Sequence, residues 1–87
     1  MSAKVVMYTT RFCPYCMRAR SMLKKKGVEY EDIAVGNDPA LWQKMQALSG
    51  QNTVPQIFIN DQSIGGFDDM AFLERQGKLD PLLNNQQ

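Results

Sequence analysis

The chain has 87 residues, of which 44% are hydrophobic and 22% charged, so its composition indicates one compact domain spanning residues 1–87. Ten basic and nine acidic residues give a net charge of +1, which argues against the basic surface of a nucleic-acid-binding protein. The sequence contains no histidine, which excludes Cys–His nucleophile pairs and mixed Cys/His zinc sites within one chain.

The N-terminal residues 1–10 contain too short an apolar run for a signal peptide. No stretch reaches the length of a transmembrane helix. We therefore expect a cytoplasmic protein without membrane contact. Because cytosolic glutathione and thioredoxin keep thiols reduced, a persistent structural disulfide is not expected there.

The first predicted elements are a strand and a helix. Residues 4–8 form a short apolar run with β-branched members, which predicts a buried strand. Beyond Cys16 the apolar residues recur at helical spacing. Pro14 suits the first turn of this helix, and three lysines followed by Gly27 mark its end.

A second strand and a second helix follow. Residues 28–35 alternate between polar and apolar side chains, as in a strand. Asp38 is expected to be the N-cap of the helix, Pro39 lies in its first turn, and Gly50 closes it.

The last third of the chain predicts a hairpin and a third helix. Residues 55–60 form a strand, and a tight turn at 60–62 leads into a second short strand. Asp68 is expected to cap a helix that stops at Gly77. Residues 80–83 predict a short terminal turn, and the polar tail after them is expected to fray.

The predicted order βαβαββα belongs to the α/β class. The first β-α-β unit should be parallel with a right-handed crossover, whereas the later hairpin must be antiparallel. One four-stranded mixed sheet accommodates both, flanked on its two faces by three helices plus a short C-terminal turn.

Cys13 and Cys16 are the only cysteines, and two residues separate them. A structural disulfide at this spacing would close a very small loop, which limits its entropic stabilisation. A closed metal site needs four ligands, so two thiols would require a second chain or an exogenous thiol. Redox catalysis is the third interpretation, and the spacing alone leaves all three open.

The position of the two thiols favours redox chemistry. Cys13 falls where the first strand ends and the first helix begins, so its sulfur should face free N–H groups that stabilise a thiolate nucleophile. Cys16 lies deeper on the same side of the first turn. We therefore assign Cys13 as the attacking thiol and Cys16 as the resolving thiol. Arg11 and Arg18 are either sources of positive potential or solvated surface residues.

Three motifs together resemble the glutaredoxin family. They are CPYC after the first strand, TVP at 53–55 and GGFDD at 65–69. The similarity runs from residue 5 to about residue 83, and SGQNTVPQIFI with IGG resembles the bacterial glutaredoxin 3 subtype. A lone C-x-x-C also occurs in thioredoxins, metal chaperones and zinc ribbons, so the combination carries the resemblance.

The resemblance implies a thioredoxin fold with Pro55 in the cis form. It also implies that glutathione binds as an added strand, with its cysteinyl unit paired to the backbone of Val54. Thr53 and Tyr15 would lie beside this ligand. In such a complex Cys13 would face the glutathione sulfur.

The GGFDD segment would hold the other end of glutathione. Gly66 permits close approach of the backbone. The amides around Asp68 would bind the γ-glutamyl carboxylate, because a helix N-terminus attracts anions. The carboxylate of Asp68 or Asp69 would meet the ammonium group.

The sequence departs from the family pattern at three positions. Thr10 stands where many relatives carry a lysine, and Trp42 stands where a polar or basic residue is common. Arg11 or Gln43 could then take over the contact with the glycyl carboxylate. Phe67 occupies the position of a third cysteine found in many members of the subtype, so regulation through that thiol is not expected.

The resemblance implies a monomeric glutathione-dependent thiol–disulfide oxidoreductase. Its partners would be glutathione, glutathionylated proteins and protein disulfides, with glutathione reductase acting indirectly through the glutathione pool. No tightly bound cofactor and no metal site are expected. Two alternatives are a dimeric carrier of a [2Fe–2S] cluster ligated by Cys13 and glutathione, and a related protein reduced by thioredoxin reductase. The rigid ring of Pro14 argues against the cluster carrier.

Overall fold

The computed structural model describes residues 3–84. It contains four strands and four helices within that range. They are β1 (Val5–Thr9), α1 (Pro14–Lys25), β2 (Glu31–Ala34), α2 (Pro39–Ser49), β3 (Gln56–Ile59), β4 (Gln62–Gly65), α3 (Phe67–Arg75) and α4 (Leu79–Asn84).

The four strands form one mixed sheet in the order β2-β1-β3-β4. β1 and β2 are parallel, whereas β1 and β3, and β3 and β4, are antiparallel. The predicted α/β class and thioredoxin fold are therefore confirmed. None of the helices described between residues 3 and 84 is long and apolar enough to cross a membrane.

Side-chain alternation along the central strands builds two hydrophobic layers. Val5 and Met7 of β1 point to one face, where they pack with residues of α1, α3 and α4. Tyr8 points to the other face and meets Phe58 edge-to-face at 5.6 Å, together with Met45 of α2. This period of two explains why β1 and β3 carry apolar residues on both sides.

The second strand is shorter than predicted. Gly27 has a positive φ of 68° and ends α1 in a Schellman motif. Its N–H donates to the carbonyl of Lys24, and the N–H of Val28 donates to the carbonyl of Leu23. Because Val28 completes the end of the helix, pairing between β1 and β2 begins only at Glu31.

The second helix begins and ends as predicted. The Asp38 carboxylate accepts the N–H of Leu41 at 3.1 Å, and Gly50 terminates the helix with a φ of 71°. Met45 is its fully buried residue, whereas Leu48 on the same face stays 54% exposed.

The predicted N-cap of the third helix is wrong by two residues. Gly66, not Asp68, is the N-cap, and the Asp69 carboxylate accepts the Gly66 N–H at 2.9 Å. The third helical position is the one whose side chain reaches back to the cap, so this role falls to Asp69. Gly65 has a φ of 109°, and a Cβ there would collide with the Asp69 carboxylate.

The predicted terminal turn is a six-residue helix, α4, in which Leu79 and Leu83 are buried. It is tied to the other end of the chain, because the Ala3 N–H donates to the Leu83 carbonyl at 2.8 Å. The fraying expected of the tail falls on residues 85–87, which lie outside the described residues.

Candidate active site

Cys13 lies at the N-cap of α1, immediately before Pro14. Its backbone is extended (φ −112°, ψ 114°), and it connects the segment after β1 to the helix. The Cys13 carbonyl accepts the Met17 N–H at 3.0 Å, while its sulfur accepts the Cys16 N–H at 3.2 Å. A helix N-terminus is left with unsatisfied donors, and here the Cys13 sulfur satisfies one of them.

The two thiols differ in accessibility. Cys13 is half-buried, whereas Cys16 has no exposed surface, and both are free. Desolvation by burial, together with the hydrogen bond to Cys13, raises the pKa of Cys16 to about 12. Cys16 is therefore a protonated, shielded thiol at neutral pH, and Cys13 is the sulfur that a substrate can reach.

The chain returns to Cys13 through the segment before β3. The peptide bond between Val54 and Pro55 is cis, the form that the family resemblance implies. The Val54 carbonyl lies 3.8 Å from the Cys13 sulfur, within range of an S–H donor. A backbone acceptor that belongs to no strand is thus placed beside the accessible thiol.

A groove of about 200 Å³ runs from this backbone to the start of α3, and we call it the Pro55 groove. Asp68 and Asp69 at its α3 end give it an acidic terminus. A Cβ on Gly66 would lie 3.4 Å from the Pro55 carbonyl oxygen and would fill part of the groove. The lining residues are Tyr15, Gln51, Thr53, Val54, Pro55, Gly66, Phe67, Asp68 and Asp69.

Seven of the eight residues predicted to contact glutathione line the Pro55 groove. The exception is Arg11, which lines a separate depression with Thr10 and whose guanidinium lies 5.4 Å from the Phe12 ring centroid. Gln51 and Phe67 line the groove without having been predicted as ligand contacts. Gln51 lies two residues before TVP and Phe67 is the middle residue of GGFDD, and this closeness to the motifs is the signal in the sequence that could have identified them.

Arg11 and Gln43 were expected to replace the lysine that many relatives carry at the position of Thr10, and neither lies in the Pro55 groove. Gln43 is exposed on α2 outside it. The side chain of Trp42 has another partner, since its indole N–H donates to the side-chain oxygen of Asn52 at 2.6 Å. Trp42 thereby anchors the loop that leads into the groove.

Gln56 holds the backbone of the groove from inside the protein. Its side chain is fully buried, and its amide nitrogen donates to the Gln51 side-chain oxygen at 3.1 Å and the Thr53 carbonyl at 2.9 Å. Its own amide oxygen is buried without a partner. Three acceptors, including the Thr53 hydroxyl, surround the nitrogen, and this fixes the orientation of the amide. Gln56 therefore positions the segment that carries Val54, a role that sequence patterning missed.

A charged pair lies behind the buried thiol. The Arg20 guanidinium donates to Asp32 at 2.7 Å, and the same carboxylate accepts the buried Thr9 hydroxyl at 2.6 Å. The hydrogen bond that Arg20 donates to Asp32 raises the pKa of Arg20. Arg20 stands one helical turn after Cys16, so its charge offsets part of the cost of ionising that thiol.

Within residues 3–84, no three His, Cys, Asp or Glu side chains form a group that could hold a metal ion. The described arrangement supports sulfur chemistry through the two thiols. The site combines one accessible thiol with one shielded thiol whose residue hydrogen-bonds to it. A groove lined by peptide backbone lies beside them, and this arrangement suits thiol–disulfide exchange.

Comparison with known proteins agrees with this chemistry. A family model described as Glutaredoxin matches residues 5–64. Glutaredoxin of Pseudomonas aeruginosa is 49% identical over 80 residues, which cover 92% of this chain and 95% of that protein. Glutaredoxin 3 of Escherichia coli K12 is 47% identical over 81 residues, covering 93% and 98%.

Solved structures show the same relationship. The solution structure of glutaredoxin from Brucella melitensis superimposes with a TM-score of 0.84 at 47% identity, covering 95% of this chain and 90% of that one. A buckwheat glutaredoxin–glutathione complex superimposes with a TM-score of 0.86 at 31% identity, covering 93% and 76%. The chain therefore belongs to the glutaredoxin family of thiol–disulfide oxidoreductases.

Proposed function

We propose that this chain is a glutathione-dependent oxidoreductase that reduces protein–glutathione mixed disulfides and protein disulfides. It acts as a single-domain monomer over residues 1–87 in the cytoplasm, with Cys13 and Cys16 as catalytic residues. Glutathione is its reductant, so no tightly bound cofactor is required. Glutathione reductase would serve it indirectly by regenerating the glutathione pool.

The single observation that carries the proposal is the alignment of the Cys13 sulfur with the Pro55 groove. Val54 offers a backbone carbonyl 3.8 Å from that sulfur. An extended peptide with its own sulfur at Cys13 would pair with this backbone as an added strand. Glutathione is such a peptide, and its γ-glutamyl unit would extend to the other end of the groove.

The far end of the groove suits the γ-glutamyl unit. This unit carries both a carboxylate and an ammonium group on one carbon. The N-terminus of α3 offers free N–H groups to the carboxylate, while Asp68 and Asp69 offer negative charge to the ammonium. The similarity to the buckwheat glutaredoxin–glutathione complex supports the same assignment.

The reaction with a glutathionylated protein takes two exchanges. The Cys13 thiolate attacks the glutathione sulfur, the mixed disulfide breaks, and the protein leaves as a thiolate that takes up a proton. The thiolate of a second glutathione then attacks the glutathione sulfur bound to Cys13. This step releases oxidised glutathione and restores the Cys13 thiolate.

A protein disulfide requires Cys16 as well. The Cys13 thiolate attacks one sulfur of the substrate and forms a mixed disulfide. Cys16 gives up its proton, attacks the Cys13 sulfur and releases the reduced protein, leaving the Cys13–Cys16 disulfide. Two glutathiones then reduce that disulfide and leave as oxidised glutathione, so that two electrons enter and two leave.

The proposal is tested by turnover of a glutathionylated peptide with two electron sources. We expect activity with NADPH, glutathione and glutathione reductase. We expect none when thioredoxin reductase replaces both glutathione and glutathione reductase. Activity with thioredoxin reductase alone would establish the thioredoxin-reductase alternative instead. A stable, stoichiometric visible chromophore after anaerobic reconstitution with iron and sulfide would establish the cluster carrier.

A further inference from the structure

A second groove, of about 440 Å³, lies between α1 and α3, and we call it the α1–α3 groove. It is formed by an apolar floor with charged side chains along its rim. The lining residues are Arg18, Ser21, Met22, Lys25, Lys26, Phe67 and Glu74. The oxidoreductase chemistry described above uses none of its charges.

The floor of the α1–α3 groove is held by the protein core. Met22 and Phe67 are half-buried, and both pack against the hydrophobic layer beneath α1 and α3. The far end is held by Lys26, whose ammonium binds Glu74 at 2.6 Å and Asp80 at 2.7 Å. A ligand would therefore meet a groove that is already shaped, which lowers the entropic cost of binding.

The charges that remain available in the groove are positive. The two carboxylates bound to Lys26 raise its pKa, with Asp80 as the larger cause, and the three groups together carry a net charge of −1 at this end of the groove. Arg18 and Lys25 are exposed, and neither forms an ion pair with an acidic side chain among residues 3–84. Arg18 and Lys25 therefore give the α1 side of the groove two positive charges that are unpaired among the described residues.

The α1–α3 groove continues directly from the Pro55 groove. Phe67 lines both, and its ring lies 6.5 Å from that of Tyr15. The Arg18 guanidinium lies 5.3 Å from the centre of the Tyr15 ring. Tyr15, Arg18, Met22 and Lys25 follow one another at helical spacing and form a stripe of about 15 Å along α1.

We propose that the α1–α3 groove docks an acidic, extended segment of the protein substrate. The inference rests on the proposed function, because glutathione would occupy the Pro55 groove and leave the protein part of a mixed disulfide to bind elsewhere. The stripe is about as long as four or five extended residues. Carboxylates three to five residues from the reacting cysteine would thus meet Arg18 and Lys25, while apolar side chains cover Met22.

The test compares glutathionylated peptides that differ only in charge. One peptide carries two Asp residues three to five positions before the cysteine, and a second carries them three to five positions after it. Each has a matched peptide with Asn in place of Asp. At low ionic strength we expect kcat/KM to be about fivefold higher for at least one Asp peptide than for its Asn counterpart. This preference should shrink towards one in high salt.

Lys25→Glu and Lys24→Glu provide a matched pair of variants. Both change the net charge equally and both alter the last turn of α1, but only Lys25 lines the groove. Lys25→Glu should abolish or invert the preference for Asp peptides, and Lys24→Glu should leave most of it intact. Turnover of a small glutathione mixed disulfide with hydroxyethanethiol serves as the internal reference for each variant.

The outcomes separate the two proposals. Equal kcat/KM for Asp and Asn peptides, in an enzyme that turns over the small disulfide, would overturn the docking groove and leave the oxidoreductase function standing. An equal effect of Lys24→Glu and Lys25→Glu would also overturn it, since a general electrostatic field would then explain the preference. Failure to turn over even the small disulfide would overturn the proposed function on which the inference rests.

Discussion

The backbone N–H of Cys16 donates to the Cys13 sulfur at 3.2 Å, while the Cys16 thiol itself is fully buried. One residue thus contributes to the site in two ways. Its backbone N–H stabilises the sulfur that we propose as the nucleophile. In the proposed mechanism its side chain stays protonated until a mixed disulfide forms at Cys13.

Substitutions of the two cysteines should have different effects on the two reactions. Cys13→Ser is expected to abolish turnover of every disulfide, because serine is not ionised at neutral pH and forms no mixed disulfide. Cys16→Ser keeps the backbone hydrogen bond and should retain turnover of a glutathionylated peptide while losing reduction of a protein disulfide. Coupled oxidation of NADPH through glutathione reductase measures both reactions. Substantial turnover by Cys13→Ser would contradict the assignment.

The buried thiol of Cys16 should make the fold less stable in alkaline solution. Burial raises its pKa from 9.0 to about 12, so the unfolded chain loses this proton before the folded protein does. The stabilisation is complete below about pH 9 and is lost as the pH rises towards 12. Urea unfolding under reducing conditions, at about pH 8 and about pH 10.5, should show a smaller loss of stability in Cys16→Ala. The quantity compared is the change in stability between the two pH values, because the cavity left by Cys16→Ala lowers the stability equally at both. An equal change in the two proteins would count against a protonated Cys16.

Replacing Gln56 should loosen the Pro55 groove without unfolding the protein. Gln56→Met has a similar shape but loses the hydrogen bonds to Gln51 and Thr53. It also removes a buried oxygen that has no partner, and this offsets part of the loss of stability. We expect KM for a glutathionylated peptide to rise about fivefold, which corresponds to about 1 kcal/mol. The thermal midpoint should change little. A large fall in the midpoint with an unchanged KM would show that Gln56 serves packing alone.

Asp68→Ala and Asp69→Ala should have different effects although the residues are neighbours. Asp69 accepts the N–H of the helix cap Gly66, so its loss should cost about 1 kcal/mol of stability as well as weakening the groove. Asp68 forms no such bond, and Asp68→Ala should raise KM for glutathione while leaving the thermal midpoint unchanged. Thermal unfolding and steady-state kinetics distinguish the two. The reverse pattern would restore Asp68 as the cap.

Most of the fold could be predicted from local patterns. Alternating apolar residues, prolines in first turns and glycines after last turns act within a few residues, so they located α1, α2 and the central strands. The length of β2 depended on a more distant choice, because Val28 uses its N–H to end α1 instead of pairing with β1.

The candidate site was predictable where a motif marks it and obscure where the fold assembles it. Cys13, Val54 and Gly66 stand in recognisable motifs. Gln56 lies in a strand whose other residues are apolar, and nothing in its neighbourhood shows that its amide supports Thr53 from below. The N-cap is Gly66 instead of the predicted Asp68, because helix α3 begins earlier than the acidic residues suggest.

The outer strands of the sheet bear on how the protein behaves when crowded. β2 and β4 are the edges, and each is only four residues long. One edge carries the exposed carboxylate of Glu31 and the Asp32–Arg20 ion pair, and the other ends at Gly65, whose positive φ breaks the extended line of the backbone. Short, charged or interrupted edges are poor templates for a foreign strand. The sheet thus places the Val54 backbone beside Cys13 at the ends of its inner strands. Its two edge strands, in contrast, give little opportunity for unspecific strand addition.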